Sequence, residues 1–124
     1  FPEKKYFKDS VKDFSDFNEI KKYWILEQDK INLDNEIKLF KTHQGNYNVE
    51  NDSFTNKENT LAIIYIVRDP RSLVKSISNH YTLSISKALE FLLTPRIIGN
   101  GKKWNEDPRG LLNLLGKWND HYHS

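Results

Sequence analysis

The stretch Leu61-Ala62-Ile63-Ile64-Tyr65-Ile66-Val67-Arg68-Asp69-Pro70 gives the strongest structural signal in the sequence. Its first seven residues form a continuous apolar run rich in β-branched side chains. Such a run is typical of a strand that is buried on both faces of a parallel sheet. Asp69 suits a helix N-cap, and Pro70 suits the first helical turn because its fixed φ is already helical. The stretch therefore predicts a buried strand, a turn and a helix, which together make half of a βαβ unit.

Weaker patterns surround this unit. Leu73, Ile77 and Tyr81 recur at i, i+4 and i+8 and so predict the helix that follows Pro70. The other predicted elements are a short amphipathic helix over 11–20, a strand over 37–43, a loop over 44–60, and helices over 84–93 and 111–124. The predicted fold class is α/β, with parallel strands covered by helices, and helix-rich in this chain.

Composition narrows the function classes. The 124 residues carry 19 Lys and Arg against 17 Asp and Glu, interleaved along the chain, which gives no basic surface for nucleic acid. The absence of Cys excludes disulfides and thiolate ligands, and the histidines do not cluster with carboxylates, so we expect no metal site. No signal peptide and no apolar run long enough to span a bilayer are present, which favours a cytoplasmic location without a membrane segment. The lack of Met suggests that a start has been removed from the chain or that the chain is part of something larger.

Two groups of polar residues follow the predicted strands. Arg68 ends the 61–67 strand, where it could bind a phosphate in a forked manner beside the helix N-terminus, and Ser76 shares a helix face with Ser72. Lys41-Thr42-His43 ends the other strand, where a His can act as a general base and a Lys can neutralise a developing anion. From spacing alone, Arg68 could equally pair with a carboxylate, and Lys41 and His43 could be exposed polar groups.

Three segments, taken together, resemble PAPS-dependent sulfotransferases. The segment 64–76 resembles the one that binds the 3′-phosphate of 3′-phosphoadenosine 5′-phosphosulfate (PAPS), with a Ser eight residues after an Arg. The segment 40–43 resembles the family's Lys-Thr-His element, and 115–122 is similar to its Gly-x-Trp-x-x-His segment. The resemblance covers 37–124.

The resemblance implies a doubly wound parallel sheet related to P-loop nucleotide kinases, and transfer of a sulfuryl group from PAPS to an acceptor hydroxyl or amine. His43 would be the catalytic base, Lys41 would contact the sulfuryl group, and Arg68 and Ser76 would bind the 3′-phosphate of PAPS without a metal. The acceptor would be a small molecule or glycan, selected by 44–60 and 95–110.

Some parts of the family pattern are missing from the sequence. The Lys-Ser/Thr-Gly-x-Thr-Trp phosphosulfate loop and the C-terminal Arg-Lys-Gly segment do not occur, and Gln44-Gly45 stands where cytosolic members often have Leu-Pro. The sequence is therefore expected to be one partial sulfotransferase domain, 1–124, truncated at both ends and inactive alone. Two alternatives stay open, namely a nucleotide-kinase-like phosphotransferase and a non-catalytic segment that self-associates through exposed sheet edges.

Overall fold

The structure, a computed structural model, describes residues 3–46, 48–99 and 110–122. Within them lie five α-helices, two 3-10 turns and four short strands. The helices are α1 (Phe17–Lys21), α2 (Trp24–Ile31), α3 (Pro70–Tyr81), α4 (Ile85–Leu93) and α5 (Trp118–Tyr122), and the 3-10 turns are Lys4–Tyr6 and Asn32–Asp34. The strands are β1 (Asn48–Val49), β2 (Asp52–Ser53), β3 (Arg96–Ile98) and β4 (Asn113–Leu115).

The main core lies around the first two helices. Trp24 is its centre, and its ring meets Phe17 edge-on at 5.7 Å and Phe54 edge-on at 5.4 Å between ring centroids. The other buried members of the cluster are Phe7, Val11, Ile20, Leu111 and Leu112. The core therefore joins the start of the described chain to the loop after α2 and to the segment that leads into β4.

The predicted helix over 11–20 is partly confirmed. Val11, Phe17 and Ile20 are buried as the three-residue spacing indicated, but only Phe17–Lys21 is helical. Asp16 begins this helix by accepting a hydrogen bond from the backbone N–H of Asn18 at 2.8 Å. The residues before Asp16 form turns instead of a helix, and these turns direct the same apolar side chains towards the core.

The predicted loop over 44–60 contains a small antiparallel hairpin formed by β1 and β2. Glu50 takes a left-handed conformation at the turn, with φ of 58°. Lys21 holds the hairpin to α1: its ammonium contacts the carboxylates of Glu50 and Asp52, while its own side chain is 2% exposed. Phe54, directly after β2, enters the core, so this segment is more ordered than its composition suggested.

Helices α3 and α4 form a packed pair, and both were predicted. Asp69 caps α3 and Ser84 caps α4, each through a side-chain oxygen that accepts a backbone N–H. Helix α3 ends at Tyr81, its C-cap Thr82 has a φ of 55°, and α4 starts at Ile85. Tyr81 stacks on Phe91 at 5.0 Å between ring centroids, which fixes the end of α3 against α4.

The predicted final helix over 111–124 is mostly wrong. Residues Asn113–Leu115 form β4, which pairs antiparallel with β3, and only Trp118–Tyr122 is helical, while 123–124 lie outside the described residues. Leu111, Leu114, Leu115 and Trp118 fit a helical spacing, but pairing with Arg96–Ile98 satisfies the backbone of this segment in another way. The close approach of Gly99 to Leu111, where an added Cβ would lie 2.9 Å from the carbonyl oxygen, brings the two strands together.

The two predicted strands that would build a parallel sheet are not formed. Residues 61–69 and 37–43 have no strand ladder in the described structure, and their apolar side chains face solvent, with Ile64 85% and Ile66 84% exposed. A strand requires a neighbour for its backbone groups, and no described segment pairs with either stretch. The structure is thus mixed helix and strand, as the α/β class requires, and the two sheets that it contains are small and antiparallel.

Candidate functional site

A cleft of about 250 Å³ brings the segment 65–68 against both helices of the α3–α4 pair. Apolar and aromatic side chains make most of its lining, and Arg68 adds a cationic group. The lining residues are Tyr65, Ile66, Val67, Arg68, Leu73, Ile77, Phe91, Leu92, Leu115, Gly116 and Trp118. A lining with three aromatic rings and a guanidinium suits a ligand that combines a flat ring with an anion.

Arg68 is the residue of this cleft whose positive charge is left for a ligand. Its guanidinium has no hydrogen-bond or ion-pair partner within the described part of the chain. Arg71, one turn further on, donates from Nη2 and Nε to the Asp69 carboxylate, at 2.7 and 3.1 Å. Of the two arginines next to the start of α3, Arg68 is therefore the one whose guanidinium is left for an anion. The alternative, in which Arg68 pairs with a carboxylate, is not observed among the described residues.

The N-terminus of α3 does not offer the free N–H groups that the sequence suggested. Arg71 donates its N–H to the Asp69 side chain at 2.9 Å. The N–H groups of Ser72 and Leu73 both donate to the Asp69 carbonyl, at 3.0 and 3.1 Å, and Pro70 has no N–H. Because the first turn is already satisfied and carries a carboxylate, an anion near it would have to be bound by side chains.

Ser76 lies on the exposed face of α3. Six residues after Pro70, it sits about 9 Å along the helix axis from the helix start. Ser72 and Ser76 are both exposed, whereas Leu73 and Ile77 are partly buried and line the cleft. Ser76 is therefore beside the cleft and not among its lining residues, and no described group bonds its hydroxyl. The structure brings Arg68 into the cleft and does not bring Ser76 there.

His43 and Lys41 belong to an exposed segment before β1. Partial burial, together with the nearby ammonium of Lys41, lowers the pKa of the His43 imidazole below its ordinary value of 6.5. A lowered pKa keeps the imidazole neutral at pH 7, which is the form that accepts a proton. His43 makes no hydrogen bond to another described residue, so both ring nitrogens are available.

Two contacts hold this segment in place. Before Lys41, the ring of Phe40 meets Tyr6 edge-on with centroids 6.3 Å apart. After His43, the buried Gln44 accepts a hydrogen bond at its Oε1 from the N–H of Leu114 in β4, at 2.7 Å. The sequence did not single out Gln44 as a contact residue, since its partner lies 70 positions away.

Strand β4 links the two predicted sites. Leu114 is bonded to the residue that follows His43, and the next two residues, Leu115 and Gly116, line the cleft with Arg68. The Lys41-Thr42-His43 segment and the Arg68 segment therefore converge on one strand, although neither His43 nor Lys41 lines the cleft itself. Partial burial raises the pKa of the Tyr65 hydroxyl in this cleft above its ordinary value of 10.

In the ranges 3–46, 48–99 and 110–122, no three His, Asp or Glu side chains gather closely enough to bind a metal ion. The same ranges contain no helix with the length and apolarity needed to cross a membrane. Of the segments expected to choose the acceptor, 44–60 is the β1–β2 region, whereas 100–109 lies outside the described residues. Comparisons with protein-family models, with curated proteins and with solved structures found no match for this chain.

Proposed function

We propose that this chain carries the 3′-phosphate-binding segment and the catalytic base of a PAPS-dependent sulfotransferase. The proposal rests on the three sequence segments that resemble this family. One structural observation supports it most directly: the Gln44–Leu114 hydrogen bond attaches the His43 segment to the strand whose neighbouring residues, Leu115 and Gly116, line the Arg68 cleft. A base and an anion-binding group that are parts of one catalytic centre need such a shared support.

The proposed chemistry assigns one role to each residue. His43 accepts the proton of the acceptor hydroxyl or amine while the acceptor atom attacks sulfur. The bond between sulfur and the 5′-phosphate oxygen breaks, and adenosine 3′,5′-bisphosphate leaves. Lys41 stabilises negative charge on the sulfuryl side, and Arg68 with Ser76 binds the 3′-phosphate. The proposal also includes the family's doubly wound sheet, in which the extended apolar stretches 37–43 and 61–67 would serve as strands.

Equilibrium binding of adenosine 3′,5′-bisphosphate tests the proposal, since this ligand carries the 3′-phosphate that Arg68 would bind. Isothermal titration calorimetry is expected to detect binding to the wild-type chain and an affinity loss of about tenfold to a hundredfold in Arg68→Ala, because one charge-assisted contact is removed. Arg71→Ala is the matched control, since the Arg71 guanidinium is bonded to Asp69. Equal losses in the two variants, or no binding to the wild-type chain, would contradict the proposed phosphate site.

The nucleotide-kinase alternative predicts a different ligand. A kinase-like site would prefer ATP with Mg²⁺, whereas the proposed site requires a 3′-phosphate that ATP does not have. Competition of ATP–Mg²⁺ against adenosine 3′,5′-bisphosphate on the same sample separates the two. Displacement of the bisphosphate by equimolar ATP–Mg²⁺ would favour the kinase interpretation.

Self-association is a second candidate function, favoured by the exposed apolar side chains of 61–67. Ile64 and Ile66 are more than four-fifths exposed, and the stretch belongs to neither of the two described sheets. Extended apolar segments of this kind add to other strands. Light scattering after size exclusion at several concentrations measures this, and a concentration-independent monomer would exclude it.

A further inference from the structure

We propose that Gln44 is a positioning residue, which fixes the place of the His43 imidazole relative to the cleft through its hydrogen bond to β4. The inference rests on the proposed role of His43 and adds to it a residue that the resemblance does not supply. Gln44-Gly45 occupies the place where Leu-Pro often follows the His in cytosolic members of the family. A side chain with an acceptor oxygen therefore stands where the family commonly has an apolar one.

The burial of Gln44 shows that its side chain has a defined place. It is 6% exposed and lies between an exposed His43 and a buried Gly45. Its Oε1 accepts the N–H of Leu114 at 2.7 Å, and its Nε2 has no hydrogen-bond partner among the described residues. Burying an amide donor without a partner is unfavourable. The hydrogen bond of this buried side chain therefore runs through its oxygen, which holds β4.

The backbone around His43 is also fixed, by a turn. The Thr42 hydroxyl accepts the backbone N–H of Gln44 at 2.9 Å, which closes a three-residue turn with His43 in its middle. The downstream end of this turn is then attached to β4 by the Gln44 side chain. Leu115 and Gly116 follow Leu114 and line the cleft. The hydrogen bond between Leu114 and Gln44 therefore fixes the turn that carries the imidazole relative to the cleft wall.

Three variants test this role. Gln44→Met keeps the volume but removes the acceptor, and Gln44→Glu keeps an oxygen for Leu114 while it replaces the Nε2 donor with a negatively charged oxygen. Gln28→Met is the matched control, because Gln28 is also buried and hydrogen-bonded but contacts Trp24, Phe54 and Thr55. The readouts are amide exchange at Leu114 and the NMR signals of the His43 ring, assigned by their absence from His43→Ala.

We expect Gln44→Met to speed amide exchange at Leu114 by about tenfold or more and to move the His43 ring signals towards those of an unstructured peptide. Gln44→Glu should retain slow amide exchange at Leu114, because an acceptor oxygen is still present, and Gln28→Met should leave this exchange and the His43 ring signals unchanged even if it unfolds at lower temperature. Unaltered His43 signals in a folded Gln44→Met chain would overturn the inference. So would an equal change in Gln28→Met. If Gln44→Met does not fold, amide exchange at Leu114 in Gln44→Glu as fast as in an unstructured peptide would overturn it as well.

The test is independent of the proposed function. Affinity for adenosine 3′,5′-bisphosphate should stay within about twofold in Gln44→Glu and in folded Gln44→Met, since Arg68 and not the His43 turn binds the 3′-phosphate. Failure of the wild-type chain to bind the bisphosphate would contradict the proposed function. The position of the His43 ring would still be decided by the NMR signals of the apo chain.

Discussion

The carboxylate of Asp69 holds Arg71 at both its backbone and its side chain. Its Oδ1 accepts the Arg71 backbone N–H at 2.9 Å, and its two oxygens bind the Arg71 guanidinium at 2.7 and 3.1 Å. One acidic residue thus caps α3 and neutralises the arginine nearest to the helix start. The positive charge left for a ligand is that of Arg68, which lines the cleft without a described partner.

Removing the Asp69 charge is expected to strengthen anion binding next to α3. Asp69→Asn keeps an N-cap oxygen but releases the Arg71 guanidinium and removes a negative charge beside Arg68. We expect the affinity for adenosine 3′,5′-bisphosphate to rise about threefold in low salt, and this gain to disappear near 1 M salt, where the Debye length is about 3 Å. Titration calorimetry at two ionic strengths measures both effects. A weaker affinity in Asp69→Asn at low salt would show that Asp69 itself is needed for binding.

The cap of α3 should be sensitive to acid. Hydrogen bonds from the Arg71 side chain and backbone lower the pKa of Asp69 below its ordinary value of 3.8. Because the folded state lowers this pKa, the cap stabilises α3 at all pH values above about 4 and is lost as the pH falls through the folded pKa. Amide exchange at Arg71, followed from pH 6 to pH 2, is expected to accelerate beyond its intrinsic pH dependence below pH 4. In Asp69→Asn this additional step should be absent.

Helices α3 and α4, with the residues that begin them, were the part of the fold most accessible from sequence. Asp69-Pro70 begins α3 and Ser84 begins α4, because a cap is a contact between residues two or three apart and is encoded locally. The extended segments behaved differently. The run 61–67 has the composition of a buried strand, but a strand forms only where another segment supplies the backbone partners, and composition cannot state which segment that is.

The candidate site was accessible only in part for the same reason. Arg68 and His43 could be named from short motifs, and the structure leaves both without a described partner. The contact that connects their surroundings could not be named, because Gln44 and Leu114 are 70 residues apart and neither stands out in composition. The spacing of Leu111, Leu114 and Leu115 also fits a helix, and only the pairing of β4 with Arg96–Ile98 decides against a helix here.

The protonation of His43 is expected to respond to Lys41. Burial is the larger cause of the lowered pKa and the Lys41 charge a smaller one. In Lys41→Met the pKa of His43 should therefore rise towards 6.5 without reaching it. An NMR titration of the ring carbon-bound protons measures this pKa, and Lys38→Met is the control, since the Lys38 ammonium is bonded to Asp34 and to the Ile31 carbonyl. An unchanged His43 pKa in Lys41→Met would place the ammonium too far away to stabilise charge at the same centre.

Lys21 should contribute more to the stability of the fold than the exposed lysines do. Its side chain is 2% exposed and its ammonium joins α1 to both sides of the β1–β2 turn, through Glu50 and Asp52. Lys21→Ala removes this connection, leaves two carboxylates close together without their cation, and takes away the packing of the buried side-chain methylenes. We expect the melting temperature to fall by about 5 °C or more, whereas Lys22→Ala, at the exposed neighbouring position, should change it by less than about 2 °C. Circular dichroism melting curves measure both variants, and equal shifts would mean that the hairpin is held by the packing of Phe54 and not by Lys21.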